Sequence, residues 1–119
     1  MNFKTDKPIY RQIIEYAFTC IISGEWIPEQ KVPSVRELAV KLAVNSHTVL
    51  KAYEFLQSEN IIYPRRGMGF YLAADAKENV NAARRHEFYN TTLTELFSEM
   101  EMLGISIDDL VERYKSYKG

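Results

Sequence analysis

Ser34-Val35-Arg36-Glu37-Leu38-Ala39-Val40-Lys41-Leu42-Ala43-Val44-Asn45-Ser46-His47-Thr48-Val49-Leu50-Lys51-Ala52-Tyr53 holds two helix starts in close succession. Ser34 followed three residues later by Glu37 matches a capping box, in which the Ser side chain accepts from the Glu backbone and the Glu side chain bonds back. A short helix follows through Leu38, Ala39 and Leu42. Ala43-Val44 make a tight break, and Asn45 is a good cap for the next helix. Val49, Ala52, Tyr53 and Leu56 then fall on one helical face, which ends near Ser58. Two helices joined this way form a helix-turn-helix, whose second member enters the DNA major groove with its first residues at base edges. Here that helix opens Ser46-His47-Thr48, with Lys51 one turn on, all able to hydrogen-bond to bases or phosphates.

Working outward, Pro8 opens an earlier helix whose apolar residues (Ile9, Ile13, Ala17, Ile21 and, one position over, Tyr10, Ile14, Phe18, Ile22) recur at helical spacing. Ser23-Gly24 closes it, Gly24 being able to take the left-handed conformation after a helix end. Glu25 to Pro33 reads as a loop with an extended piece near Val32. On the other side, Glu59-Asn60 is a turn, and Ile61-Ile62-Tyr63 and Phe70-Tyr71-Leu72 are β-prone runs. Between them Pro64-Arg65-Arg66-Gly67-Met68-Gly69 reads as the loop of a hairpin. A helix, a helix-turn-helix and a hairpin with a basic tip follow the winged helix-turn-helix order. The expected fold is mainly α with a small β-hairpin wing.

Residues 1–76 are assigned to that DNA-binding domain and 77–119 to a helical dimerisation region. After Ala73-Ala74-Asp75 comes a polar stretch, then a helical pattern stopped by Gly104. Ser106 caps a last helix with Asp108 and Asp109 near its positive end, and Ile105 and Leu110 are placed for a hydrophobic staple. Two helices cannot enclose a core alone, so a second subunit is the expected partner. Leu93, Leu96, Phe97, Met100, Leu103, Leu110, Val111 and Tyr114 are its expected interface.

Fifteen basic against sixteen acidic residues leave a net charge of −1, so composition does not announce nucleic-acid binding. Residues 1–76 carry nine basic and eight acidic residues, while 77–119 carry six and eight. The acids are denser in the expected arm, and a few placed arginines are left to act elsewhere. A chain of 119 residues buries enough surface to fold without a metal or disulfide staple. The longest apolar runs are too short for a transmembrane helix, and the N-terminus lacks a signal-peptide core. Cys20 stands alone within the first helix, reads as a small buried hydrophobe, and fits a reducing cytoplasm. His47 has no Cys, Asp or Glu at ligand spacing, so no metal is expected. His86 reads as solvated, and Tyr53 and Phe70 as core. Gly67-x-Gly69 sits in a hairpin tip and not before a helix, so no phosphate-cradling loop is present; no catalytic constellation and no cofactor are expected.

Pro8-Ile9-Tyr10-Arg11-Gln12-Ile13, Ile22-Ser23-Gly24-Glu25, Val32-Pro33-Ser34-Val35-Arg36-Glu37-Leu38-Ala39, Val44-Asn45-Ser46-His47-Thr48-Val49-Leu50-Lys51-Ala52-Tyr53 and Arg65-Arg66-Gly67-Met68-Gly69-Phe70 closely resemble the DNA-binding domain of GntR-family transcription regulators, over about residues 7–73. The Val-Asn-x-x-Thr-Val-x-x-Ala-Tyr form looks most like the YtrA subfamily, which is also marked by a short two-helix dimerisation region. The resemblance implies a homodimeric bacterial repressor binding double-stranded operator DNA with an inverted repeat. It implies that Arg36 contacts DNA from the first motif helix, that Asn45, Ser46, His47 and Thr48 head the recognition helix, and that Gly67 with Arg66 forms the wing tip. Many relatives carry arginines where this chain has Ser46 and Leu50, so a different operator is expected.

Together with these, Lys51 is expected on phosphate and Arg65 beside Arg66 over the minor groove, where arginine suits the local potential. Lys31, Lys4 and Lys7 stand between phosphate contact and ordinary surface lysine. A winged helix can also serve as a protein-interaction module, which salt-insensitive or absent DNA affinity would favour. MocR-type relatives add a large pyridoxal-phosphate domain, which is not expected in a chain from Met1 to Gly119 unless it is a fragment. Two helices per subunit supply little pocket wall, so a small-molecule effector site would lie between subunits.

Overall fold

The computed structural model describes residues 7–119, and Lys4 lies outside them. The chain divides into two compact units, one ending at Ala83 and one beginning at Arg84. The first is a winged helix-turn-helix: α1 (Ile9–Ser23), α2 (Val35–Leu42), α3 (Ser46–Ser58), and an antiparallel hairpin of β1 (Ile62–Arg65) and β2 (Gly69–Leu72), followed by the start of α4 (Ala76–Glu87). Its core gathers Ile13, Ala17 and Ile21 of α1, Leu38 of α2, Val49, Tyr53 and Leu56 of α3, and Ile61, Ile62 and Leu72 around the wing. The α1 and α3 members recur at helical spacing, and there the amphipathic pattern becomes the packing.

The local breaks follow from backbone chemistry. Gly24 ends α1 with φ +86°. Ala43 takes φ +56° between α2 and α3, and its N–H reaches back to the carbonyls of Ala39 and Val40. An alanine held there gives up the glycine-like freedom such a conformation usually calls for.

Two stretches of the first unit differ from the sequence reading. The hairpin loop is tighter: Pro64 and Arg65 lie within β1, paired with Phe70 and Gly69, leaving only Arg66–Met68 at the tip. Pro64 has no N–H to give, but β1 is an edge strand, where that omission is tolerated. On its other side β2 is joined by the Glu29–Val32 segment through Glu29 N–H to Leu72 O, Leu72 N–H to Gln30 O and Val32 N–H to Phe70 O, 2.8–3.0 Å apart. The polar stretch after Asp75 is helical: Ala76, Val80 and Ala83 of α4 are buried in the first unit's core. Their four- and three-residue spacing is a helix stripe made of small side chains. Asn79 fastens it, its side-chain amide donating to Asn60 O at 2.8 Å.

The second unit contains a π-helical turn (Phe88–Thr92), α5 (Leu93–Leu103) and α6 (Ile107–Lys118). Gly104 ends α5 with φ +68°. Ser106 caps α6, its hydroxyl accepting from Asp109 N–H at 3.1 Å. Met100 is the sole buried residue of this unit. Phe88, Tyr89, Phe97, Leu103, Ile107 and Tyr114 are exposed, and Tyr117 is 85% exposed.

Candidate nucleic-acid interface

The capping box at the head of α2 is complete. Ser34 Oγ accepts from Glu37 N–H at 3.0 Å, and Ser34 N–H donates to Glu37 Oε1 at 2.9 Å. The bonds hold the Glu37 carboxyl below the usual carboxylate range. Arg36, the second residue of α2, is exposed and has no side-chain partner among the described residues. A cation at the positive end of a helix gains nothing from the dipole there. Helix N-termini instead attract phosphate, to which an arginine adds a planar donor set.

At the head of α3, Asn45 Oδ1 accepts from His47 N–H at 2.7 Å, so Asn45 is first of all the cap. Ser46 and His47 are exposed and Thr48 is half-buried. The inward side of α3 is anchored by Tyr53. Its hydroxyl donates to Pro33 O at 2.6 Å, beside the α2 cap, and its ring meets Trp26 and Phe70 edge-on at 6.5 and 5.4 Å. Burial raises the Tyr53 hydroxyl well above its ordinary pKa. One side chain thus ties together α3, the start of α2 and the wing, which fixes how the head of α3 is presented.

Lys51 is exposed, yet its ammonium rests 4.0 Å from the centre of the Tyr10 ring of α1. Such a contact is worth roughly 0.5–1 kcal/mol at an exposed site, enough to orient the lysine without consuming its charge.

In the wing, Met68 N–H bonds to Arg65 O at 2.9 Å to close the turn. Gly67 has φ +73°, a position where a side chain would be strained. The two neighbouring arginines are not equivalent. Arg65 lies over the Tyr71 ring at 4.3 Å and donates to Tyr63 Oη at 3.3 Å. Tyr63 stacks on Tyr71 and donates onward to Glu29 Oε2 at 3.0 Å. Arg66 is exposed with no side-chain partner among the described residues. Lys31 bridges to Tyr71, and its side chain passes so close to Gly69 that a Cβ there would lie 3.1 Å from Lys31 Cε. The structure therefore brings Lys31 to the wing, and leaves Arg36, Ser46, His47, Arg66 and Gly67 open to solvent. Lys7 is engaged with Glu15 at 2.8 Å.

Tyr10, Tyr63, Tyr71 and Glu29 have no interface role in the sequence reading. The strand period puts Tyr63 and Arg65 on one face, a usable signal. Tyr71 enters only through the register Tyr63↔Tyr71, and Tyr10 only through the packing of α1.

Elsewhere Cys20 is buried, its thiol beside Glu25 at 3.5 Å, and burial raises its pKa, which disfavours the reactive thiolate. His86 is exposed, with the Asn90 amide against its ring Nε2 at 2.8 Å. Among the described residues, no cluster of three His, Cys, Asp or Glu is placed to hold a metal, and no helix is long and apolar enough to cross a membrane. In the second unit, Leu96, Leu110, Val111 and Tyr114 line an apolar groove of about 700 Å³, continued by Tyr117. Phe97 and Met100 line another of about 350 Å³ with Ile105 and Ile107. Leu93 is half-buried and Leu103 exposed.

The family of bacterial regulatory proteins called gntR matches residues 9–72, from α1 to the end of the wing. The HTH-type transcriptional repressor YtrA of Bacillus subtilis is 34% identical over 112 residues, covering 94% of this chain and 85% of its own. Among solved structures, a GntR-family regulator from Bacteroides thetaiotaomicron superposes with a TM-score of 0.74 at 36% identity, covering 91% of this chain and 95% of that one. AraR(DBD) in complex with operator ORR3 superposes with a TM-score of 0.55 at 32% identity, covering 61% and 88%.

Proposed function

The chain belongs to the gntR family of bacterial regulatory proteins, and from that premise we propose that it is a sequence-specific DNA-binding regulator of transcription that acts as a homodimeric repressor in the cytoplasm. α3 lies in the major groove, where Asn45, Ser46, His47 and Thr48 face bases and phosphates. Arg36 and Lys51 anchor the backbone, and the Arg65-Arg66-Gly67 wing lies over the minor groove. The unit ending at Ala83 serves as the reader and the unit beginning at Arg84 as the clasp. Leu93, Leu96, Phe97, Met100, Leu103, Leu110, Val111 and Tyr114 meet a second copy across a two-fold axis, which matches an inverted repeat with half-sites one helical turn or a multiple apart.

One observation carries the DNA-binding reading. Arg36, Ser46 and His47 stand exposed without side-chain partners among the described residues, on helices whose opposite faces are buried, and Arg66 stands likewise at the exposed hairpin tip. Donors are left outward at the two places, helix head and hairpin tip, that suit a duplex. The dimer reading is supported by the exposed apolar residues of α5 and α6, a density that water disfavours in a monomer. Repression is then occupancy: a clasped pair of readers on an operator blocks polymerase.

Arg36→Ala is the test. In a gel-shift titration on a genomic fragment recovered by the protein itself, affinity falls by roughly tenfold or more, while the melting temperature is unchanged because Arg36 is exposed. Unchanged affinity refutes the assignment. Absence of any salt-sensitive DNA affinity in the wild type favours a protein-interaction module.

A further inference from the structure

Leu50 is the anomaly on the outer face of α3. It is 40% exposed, and it is neither part of the hydrophobic core nor among the residues packed against it. The inward side of the helix is complete without it, formed by Val49, Ala52, Tyr53 and Leu56. Residues three and four apart share a helical face, so Leu50 lies beside Ser46, His47 and Glu54, all exposed. The buried core does not include this leucine, and the exposed residues beside it, Ser46, His47 and Glu54, are polar.

The duplex supplies a complement. Base edges in the major groove offer hydrogen-bond donors and acceptors and a single apolar group, the C5-methyl of thymine. Ser46 and His47 are equipped for the former, and Leu50 only for the latter. Glu54, a turn further on the same face, carries the charge that phosphates repel, so the contacting face runs from Ser46 to Leu50. Four residues of α-helix advance about 6 Å, which places the methyl roughly one to two base pairs from the pair met by Ser46.

We propose that Leu50 is a specificity-determining residue that packs on the C5-methyl of one thymine in each half-site, an inference that rests on the DNA-binding reading above. A G·C pair at that position would leave polar base-edge groups facing the leucine without partners, and is disfavoured for that reason.

The experiment takes a fragment recovered from genomic DNA by the intact protein and replaces each thymine in turn with deoxyuridine, which removes the methyl alone. Wild type and Leu50→Ala are titrated against every duplex. At one thymine per half-site the replacement weakens the wild type by about fourfold per half-site, the value of one buried methyl, and leaves Leu50→Ala unaffected. A duplex with 5-methylcytosine·G at that pair restores part of the wild-type affinity relative to cytosine. Thermal melts of the two proteins coincide. If both proteins respond alike to every replacement while fragment-specific binding persists, the assignment of Leu50 is overturned and the DNA-binding reading stands. If the wild type binds no fragment in preference to bulk DNA, that reading falls and the assignment with it.

Discussion

Replacing Arg66 and Arg65 separately with alanine separates a residue that reaches DNA from one that shapes the wing. Arg65 is occupied: its guanidinium lies 4.3 Å over the Tyr71 ring and bonds to Tyr63, which is itself tied to Glu29. Arg66, one position on at the tip, has no such partner among the described residues. Each phosphate neutralised contributes about 0.9 to the slope of log affinity against log salt. Two wings on a dimer therefore lose about 1.8 in Arg66→Ala. Between 50 and 200 mM salt, a fourfold range, that change makes the variant's loss of affinity about twelvefold smaller than the wild type's. Arg65→Ala releases Tyr63 and Tyr71, loosens the tip and lowers affinity by a similar factor at every salt concentration, with the slope unchanged. Fluorescence-anisotropy titrations at four or five salt concentrations measure both slopes. Equal slope changes in the two variants, or none in Arg66→Ala, refute the division of labour.

Two further outcomes concern stability. Tyr53→Phe removes the 2.6 Å bond to Pro33 O from a fully buried side chain, at a cost of about 1–2 kcal/mol; in circular-dichroism melts the first unit should lose roughly 5–15 °C, and an unchanged melt contradicts the anchoring role. Glu37 has its pKa lowered by the Ser34 bonds. The stability it contributes is therefore fully present above the ordinary carboxylate value near 4.3 and is lost as pH falls through the lower folded value. Glu37→Gln should flatten that acid-side loss in denaturant titrations between about pH 5 and 3, and an identical pH profile contradicts the capping account.

What could be read from the sequence, and what could not, divides by range of interaction. The starts of α2 and α3 were legible because Ser34, Glu37 and Asn45 act on backbone groups two or three residues away. The core face of α3 was legible because one helix period fixes it. α4 was hidden because its buried stripe is built from Ala76, Val80 and Ala83 amid charged neighbours, and small side chains leave a weak periodic signal. The π-helical turn at Phe88–Thr92 has no local signature of the kind a cap or glycine provides. The extension of the strand into Pro64-Arg65 depends on which side of β1 lies at the edge. In the candidate interface, motif and family resemblance pointed to Arg36 and Arg65-Arg66, but not to the inequality of the last two. That inequality arises from Tyr71 across the hairpin and from Glu29, far away in sequence, as the setting of Lys51 arises from Tyr10.

The most direct measurement is to incubate the purified protein with sheared genomic DNA at near-physiological salt, recover the bound fragments and sequence them. The account predicts a small set of enriched fragments sharing one inverted repeat, with half-site centres a whole number of helical turns, each about 10–10.5 base pairs, apart. Recovery of fragments in proportion to their abundance in the genome, with no shared sequence, would contradict it.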